Sequence, residues 1–133
     1  MKVVLDSSVL TVASISRAGV CAELFQDVLA HHESIISDFI VNEVSRKLHE
    51  KFDFTKTEIA ELCSFLKATG SFVVPAEIDA NVCRDPQDIP VLGTAVAGTA
   101  NLLISVDKDL LAIGPFQGIE IIKPGEFWKK TGT

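Results

Sequence analysis

At 133 residues the chain is long enough to bury a real hydrophobic core without covalent staples, and its 47% hydrophobic content excludes a disordered polymer. A net charge of −6, from 18 acids against 12 bases, argues against non-specific nucleic-acid binding through a basic footprint, unless the acidity belongs to a cation-binding site. Cys21, Cys63 and Cys83 have no paired or CxxC spacing, and His31, His32 and His49 make no HExxH helix, so a disulfide scaffold and a zinc site are both poor readings.

In chain order, Val3-Val4-Leu5 is an apolar run without alternation, which predicts a central strand covered on both faces. Asp6 follows it directly. A short helix is expected from Val9 to Ile15, and an amphipathic one from Gly19 to His32 with Ala22, Phe25, Val28 and Leu29 at helical spacing. Ser34 to Ser37 reads as a second strand. The next helix runs from Asp38 to about Lys51, capped by Ser37 or Asp38, with Ile40, Val41, Val44 and Leu48 inward. Thr55 and Glu58 have capping-box spacing at the head of another helix, which buries Ile59, Leu62, Phe65 and Leu66 and ends with Gly70 at C′.

Phe72 to Val74 is the expected third strand, followed by a polar loop from Glu77 to Asp88. Ile89 to Val106 carries no charge, but Pro90, Gly93, Gly98 and Asn101 argue against a membrane span. A buried helix to about Ala100 and a buried strand, Leu102 to Ser105, explain it better. A short helix from Asp107, a fifth strand at Ile119 to Ile122 and a last turn from Pro124 to Lys129 complete the pattern. Strands alternating with helices predict an α/β fold over residues 1–133, a single three-layer α/β/α sandwich with a central parallel sheet of about five strands. Free thiols and no signal-peptide pattern at Met1-Lys2-Val3 point to a reducing, cytoplasmic setting.

In such a sheet the strand C-termini and helix N-termini share one edge. Asp6 and Asp107 each follow a strand, Asp88 precedes the helix that leads into the fourth strand, and Glu43 lies in the second turn of the helix after strand two. Asp38, Asp85 and Asp109 lie near the same edge. Taken singly, these acids are ordinary: Asp6 a turn former, Asp88 an N-cap, Glu43 a solvated helix acid, Asp107 and Asp109 dipole or cap residues. Together they repel one another unless a cation compensates, and Mg²⁺ or Mn²⁺ suits an all-oxygen site. The chemistry this points to is metal-assisted phosphodiester hydrolysis.

Five segments, VVLDSSVL, SDFIVNEVSRKL, RDPQDIPVLGTAV, LLISVDKDLL and IEIIKPGEFW, occur in order along nearly the whole chain. Together they resemble the PIN-domain family, close to its VapC-like toxins, a metal-dependent ribonuclease fold. The resemblance implies catalytic roles for Asp6, Glu43, Asp88 and Asp107, with Asp6, Asp88, Asp107 and Asp109 holding metal and Ser7 and Ser105 supporting them. Position 8 is Ser where many relatives carry Asn, which would weaken the orientation of the acids. Ile89 replaces a polar residue found in closer relatives.

Arg17, Arg84 and Lys108 lie in expected loops near the rim and are candidates for binding substrate RNA, whereas Arg46, Lys47 and Lys51, on the helix of Glu43, could hold RNA phosphates but read first as a solvated helix face. The resemblance further implies a toxin with a cognate antitoxin and a homodimer, which the apolar faces of the Gly19 and Thr55 helices could support, and no membrane partner. The alternative is a non-catalytic PIN-like binding or scaffold module. A haloacid-dehalogenase-type phosphatase needs a second Asp two residues after Asp6, where this chain has Ser8.

Overall fold

The structure, a computed structural model, describes residues 1–132. Its elements are β1 (Lys2–Leu5), α1 (Ser7–Ile15), α2 (Val20–His31), β2 (Glu33–Ile36), α3 (Asp38–Phe52), α4 (Lys56–Thr69) and β3 (Ser71–Phe72), then a 3₁₀ turn (Pro86–Asp88), α5 (Ile89–Ala97), β4 (Leu102–Ile104), α6 (Lys108–Ile113), β5 (Glu120–Ile122), a second 3₁₀ turn (Pro124–Glu126) and α7 (Phe127–Thr131). All strand pairs are parallel, in the order β3-β2-β1-β4-β5. The expected α/β sandwich with a five-stranded parallel sheet is therefore the observed fold.

Successive side chains of a strand point to opposite faces, yet Val3, Val4 and Leu5 are all buried, as are Leu102, Leu103 and Ile104. Only a sheet covered by helices on both sides achieves that. The α3 stripe Ile40, Val41, Val44 and Leu48 is buried as its spacing requires. Phe127 is fully buried at the chain's end, and the neighbouring Trp128 donates its Nε1–H to Asp27 Oδ2 at 2.9 Å, tying α7 to α2. Among the described residues no single helix is long and apolar enough to cross a membrane. The charge-free run becomes α5 and β4.

Several boundaries depart from the sequence reading. The first helix begins at Ser7, because the Asp6 carboxylate accepts from Val9 N–H at 3.1 Å and caps it. The third strand is only Ser71–Phe72, although Val73 N–H still reaches Ile36 O at 2.9 Å. The Thr55/Glu58 capping box forms in both directions. Gly70, however, is the C-cap itself in an extended conformation (φ −104°) rather than a left-handed C′ residue. Glycine is needed there for space, since a Cβ would lie 2.9 Å from Ile36 Cγ2. On α4 only Leu66 is buried. Phe65 stays exposed and meets Phe25 of α2 edge to face at 6.3 Å, so the two helices cover part of each other's apolar face.

Two contacts set the position of α5, whose head carries Asp88. Thr94 Oγ1 donates to Pro90 O at 2.7 Å, so the buried Ser37 hydroxyl at the end of β2 donates to Thr94 Oγ1 at 2.8 Å. On the other side, the chain at Ala76 lies directly on Gly93, with Ala76 N–H bonded to Gly93 O at 2.9 Å. A Cβ at Gly93 would come within 2.4 Å of Ala76 O. Gly93→Ala should therefore lower stability by about 1–3 kcal/mol in urea unfolding, because backbone must move to admit one methyl group.

Candidate metal centre at the sheet edge

The strand order places the reversal of connectivity between β1 and β4, since the chain moves outward from β1 through β2 to β3 and then returns to β1's other side. In open parallel sheets a crevice opens outside the strand carboxyl ends at such a point. Here β1 and β4 are paired in register, Leu5 opposite Ile104. The next residues, Asp6 and Ser105, therefore emerge side by side.

Asp6 is only 4% exposed and its carboxylate is fully engaged. Oδ1 accepts from Ser8 Oγ at 2.5 Å and from Val9 N–H, and Oδ2 accepts from the buried Ser105 hydroxyl. Ser105 Oγ in turn accepts from Asp107 N–H at 2.9 Å. Asp107 Oδ1 takes Asp109 N–H at 2.8 Å and caps α6. One hydrogen-bonded chain thus fixes the ends of β1 and β4 and the head of α6 together. Ser8, expected to be a weak substitute for Asn, holds the Asp6 carboxylate directly.

Asp88 reaches the same place from α5. It is 6% exposed, and its Oδ2 is buried without a hydrogen-bond partner. Asp85, Asp88 and Asp109 each bring one carboxylate oxygen within 4.8 Å of the others. Burial, then the charge of Asp107 and the hydrogen bond that a protonated Asp88 gives Asp107, with the charges of Asp85 and Asp109 adding to these, pushes Asp88 up from 3.8 to about 7. A buried carboxylate oxygen with no donor, among further carboxylates, is the donor set a hard divalent cation takes. The residues therefore fit Mg²⁺ or Mn²⁺ on geometry and on charge.

These acids line a cleft of about 230 Å³ in which Asp6, Asp85, Asp88 and Asp107 face Glu43, Ser7 and Lys47 from α1 and α3. Ser7 Oγ donates to Glu43 Oε1 at 3.3 Å and accepts from Lys47 Nζ at 3.1 Å. Arg46 stands 3.9 Å from the other Glu43 oxygen. All four sequence-selected acids, Asp6, Glu43, Asp88 and Asp107, thus line one cleft, with Asp109 beside them. Arg17, in the turn between α1 and α2, Arg84, before the 3₁₀ turn, and Lys108, opening α6, are exposed and are not among the cleft-lining residues. Cys83 is buried, and burial followed by the charges of Asp88 and Asp85 raises its thiol, which makes it a packing residue rather than a redox-reactive one.

Two charged cleft residues stand outside the acid site expected from sequence. Lys47, read as part of a solvated face, is half-buried with its ammonium in the cleft; its spacing of four from Glu43 on α3 carries that signal. Asp85 was placed at the edge but given no role. The signal is its spacing in Asp85-Pro86-Gln87-Asp88: Asp85 caps a 3₁₀ turn through Gln87 N–H, and residues three apart eclipse in that geometry.

In metal-free protein the raised Asp88 means that the folded state binds more protons than the unfolded chain between pH 3.8 and about 7. Stability should therefore fall as pH rises through that window. Asp88→Asn should remove this decline, making the variant more stable than the wild type in EDTA at about pH 8 but not at about pH 4 in thermal melts. Added Mn²⁺ should raise the wild-type melting temperature at pH 8 more than that of the variant.

Comparison with known proteins bears on the fold and the family. No curated protein matches the chain. Among solved structures, a chain of the crystal structure of VapBC2 from Rickettsia felis, bound to a DNA fragment from its promoter, is similar at a TM-score of 0.62 and 11% identity. The match covers 92% of this chain and 98% of that one, and shows a shared fold. A family profile described as PIN domain matches residues 2–109, which include every acid of the cleft. The chain belongs to the PIN-domain family.

Proposed function

We propose that this protein is a Mg²⁺- or Mn²⁺-dependent ribonuclease that hydrolyses RNA phosphodiester bonds. The observation that carries the reading is the unpartnered, buried Asp88 oxygen grouped with Asp85 and Asp109 beside Asp6 and Asp107. Asp6, Asp88, Asp107 and Asp109 would hold the ion directly or through water, with Asp85 a further oxygen donor beside Asp88 and Asp109. A hard divalent ion bound there supplies positive charge to the phosphoryl oxygens and a route to a stronger water nucleophile. Glu43 orients the attacking water and accepts its proton. Ser7 holds the Glu43 carboxylate and is itself held by Lys47, whose ammonium offsets part of the negative charge that RNA would meet on entry.

Membership in the PIN-domain family and the fold shared with a VapBC2 chain support a place in a toxin–antitoxin pair. In that reading an antitoxin covers the acidic cleft. Phe65 and Val20, exposed on α4 and α2, support a homodimer through that side.

The test is cleavage of a mixed RNA pool in Mn²⁺, Mg²⁺ or EDTA. Metal-dependent cutting should be abolished by EDTA and by Asp88→Asn or Asp6→Asn, with circular dichroism showing both variants folded. Ser105→Ala, which releases Asp6 Oδ2, should reduce activity or metal affinity about 10- to 100-fold. A folded protein that neither binds metal nor cuts RNA would instead be a non-catalytic PIN-like binding module.

A further inference from the structure

A second pocket adjoins the acidic cleft. About 450 Å³ in volume, it is lined by Phe39, Asn42, Glu43, Arg46 and Gln87. Glu43 and Gln87 line both spaces and form the wall between them. Helical geometry explains the division. Phe39, Asn42 and Arg46 are three and four residues apart and form one stripe of α3, while Glu43 and Lys47 form the adjoining stripe that faces the acids. One helix thus presents a charged edge to the cleft and an aromatic and amide edge to the pocket beside it.

The chemistry of this pocket differs from that of the cleft. Phe39 is half-buried against the core and supplies an aromatic ring. Asn42 and Gln87 are exposed, and each side-chain amide carries both a donor and an acceptor. Arg46 has its guanidinium held from two sides, 3.9 Å from Glu43 and 3.4 Å from Glu50. A ring for stacking, two amides and a guanidinium are the groups with which proteins bind a base that has left the stack and read its edge. A base paired inside a duplex could not enter.

We propose that this pocket is a base-recognition subsite, taking one unpaired nucleobase of the RNA strand whose neighbouring phosphodiester lies in the acidic cleft. This rests on the ribonuclease reading. Phe39 stacks on the base, Asn42 and Gln87 discriminate among base edges, and Arg46 closes the outer side.

The test measures affinity and cleavage separately. Fluorescence anisotropy in Mg²⁺, with phosphorothioate-backbone single strands of A, C, G or U and one A·U duplex, should show one base preferred and the duplex bound weakest. Phe39→Ala should weaken the preferred strand about 5- to 100-fold. Because Phe39 also packs on the core, the exposed Asn42→Ala and Gln87→Ala variants provide a second reading. They should change the base preference in binding and the base beside the cuts in a sequenced RNA digest. If all three variants keep wild-type affinity and preference while RNA is still cut, the subsite is overturned and the nuclease reading stands. If the wild type discriminates bases but cuts nothing in either metal, the subsite stands and the nuclease reading falls. A wild type that neither binds nor cuts RNA overturns both.

Discussion

Two adjacent parallel strands end on acidic loops, and the protein has to hold that negative charge together at a largely buried edge. The Ser105 hydroxyl is the part on which the arrangement depends. It donates a hydrogen bond to Asp6 at the end of β1 and accepts one from the N–H of Asp107 after β4, so a single side chain sets the spacing of two acids. The β1–β4 register makes this possible by bringing positions 6 and 105 out of the sheet together. Asp6 and Asp107 also cap α1 and α6, so the same carboxylates that shape the cleft terminate the backbone ladders around it.

Asp88 is built on the opposite principle. Where Asp6 has three donors, Asp88 Oδ2 has none, and it is surrounded by like charge. An uncompensated buried carboxylate destabilises a fold unless it takes a proton or a cation. The chain nevertheless fixes Asp88 firmly. The Ser37–Thr94 hydroxyl contact and the close approach of Ala76 to Gly93 hold α5 against β2 and against the preceding loop. Strain of this electrostatic kind, held in place by neutral contacts, suits a site whose compensation arrives with a bound ion.

The helix α3 connects this centre to its surroundings. Its inner stripe is core, its next stripe carries Glu43 and Lys47 into the acidic cleft, and the stripe beyond carries Phe39, Asn42 and Arg46 into the adjoining pocket. Cationic and aromatic groups thus lie next to a concentration of acids in a protein whose overall charge is negative. The net charge describes the whole surface and says little about this one groove, where six of the 18 acids lie in or beside one cleft.

By itself the sequence determined the alternation of strands and helices, the apolar stripe of α3, the Thr55 capping box and the four acids brought to one rim. Each is written in local periodicity or in the position of a residue at the end of an element, and local rules read such signals directly. The strand order was not legible, because side-chain patterning marks which segments are buried but not which neighbours they pair with. That order decided that β1 and β4 are adjacent and so which strand ends share a hydroxyl. Tertiary structure also decided which cations belong to the cleft. Lys47 enters it, whereas Arg17, Arg84 and Lys108 lie outside its lining, since a long flexible side chain takes its direction from the partners it meets and not from its place in the sequence. The unpartnered oxygen of Asp88 was beyond reach for the same reason: a missing donor is a property of everything packed around the carboxylate, and no single stretch of chain encodes it.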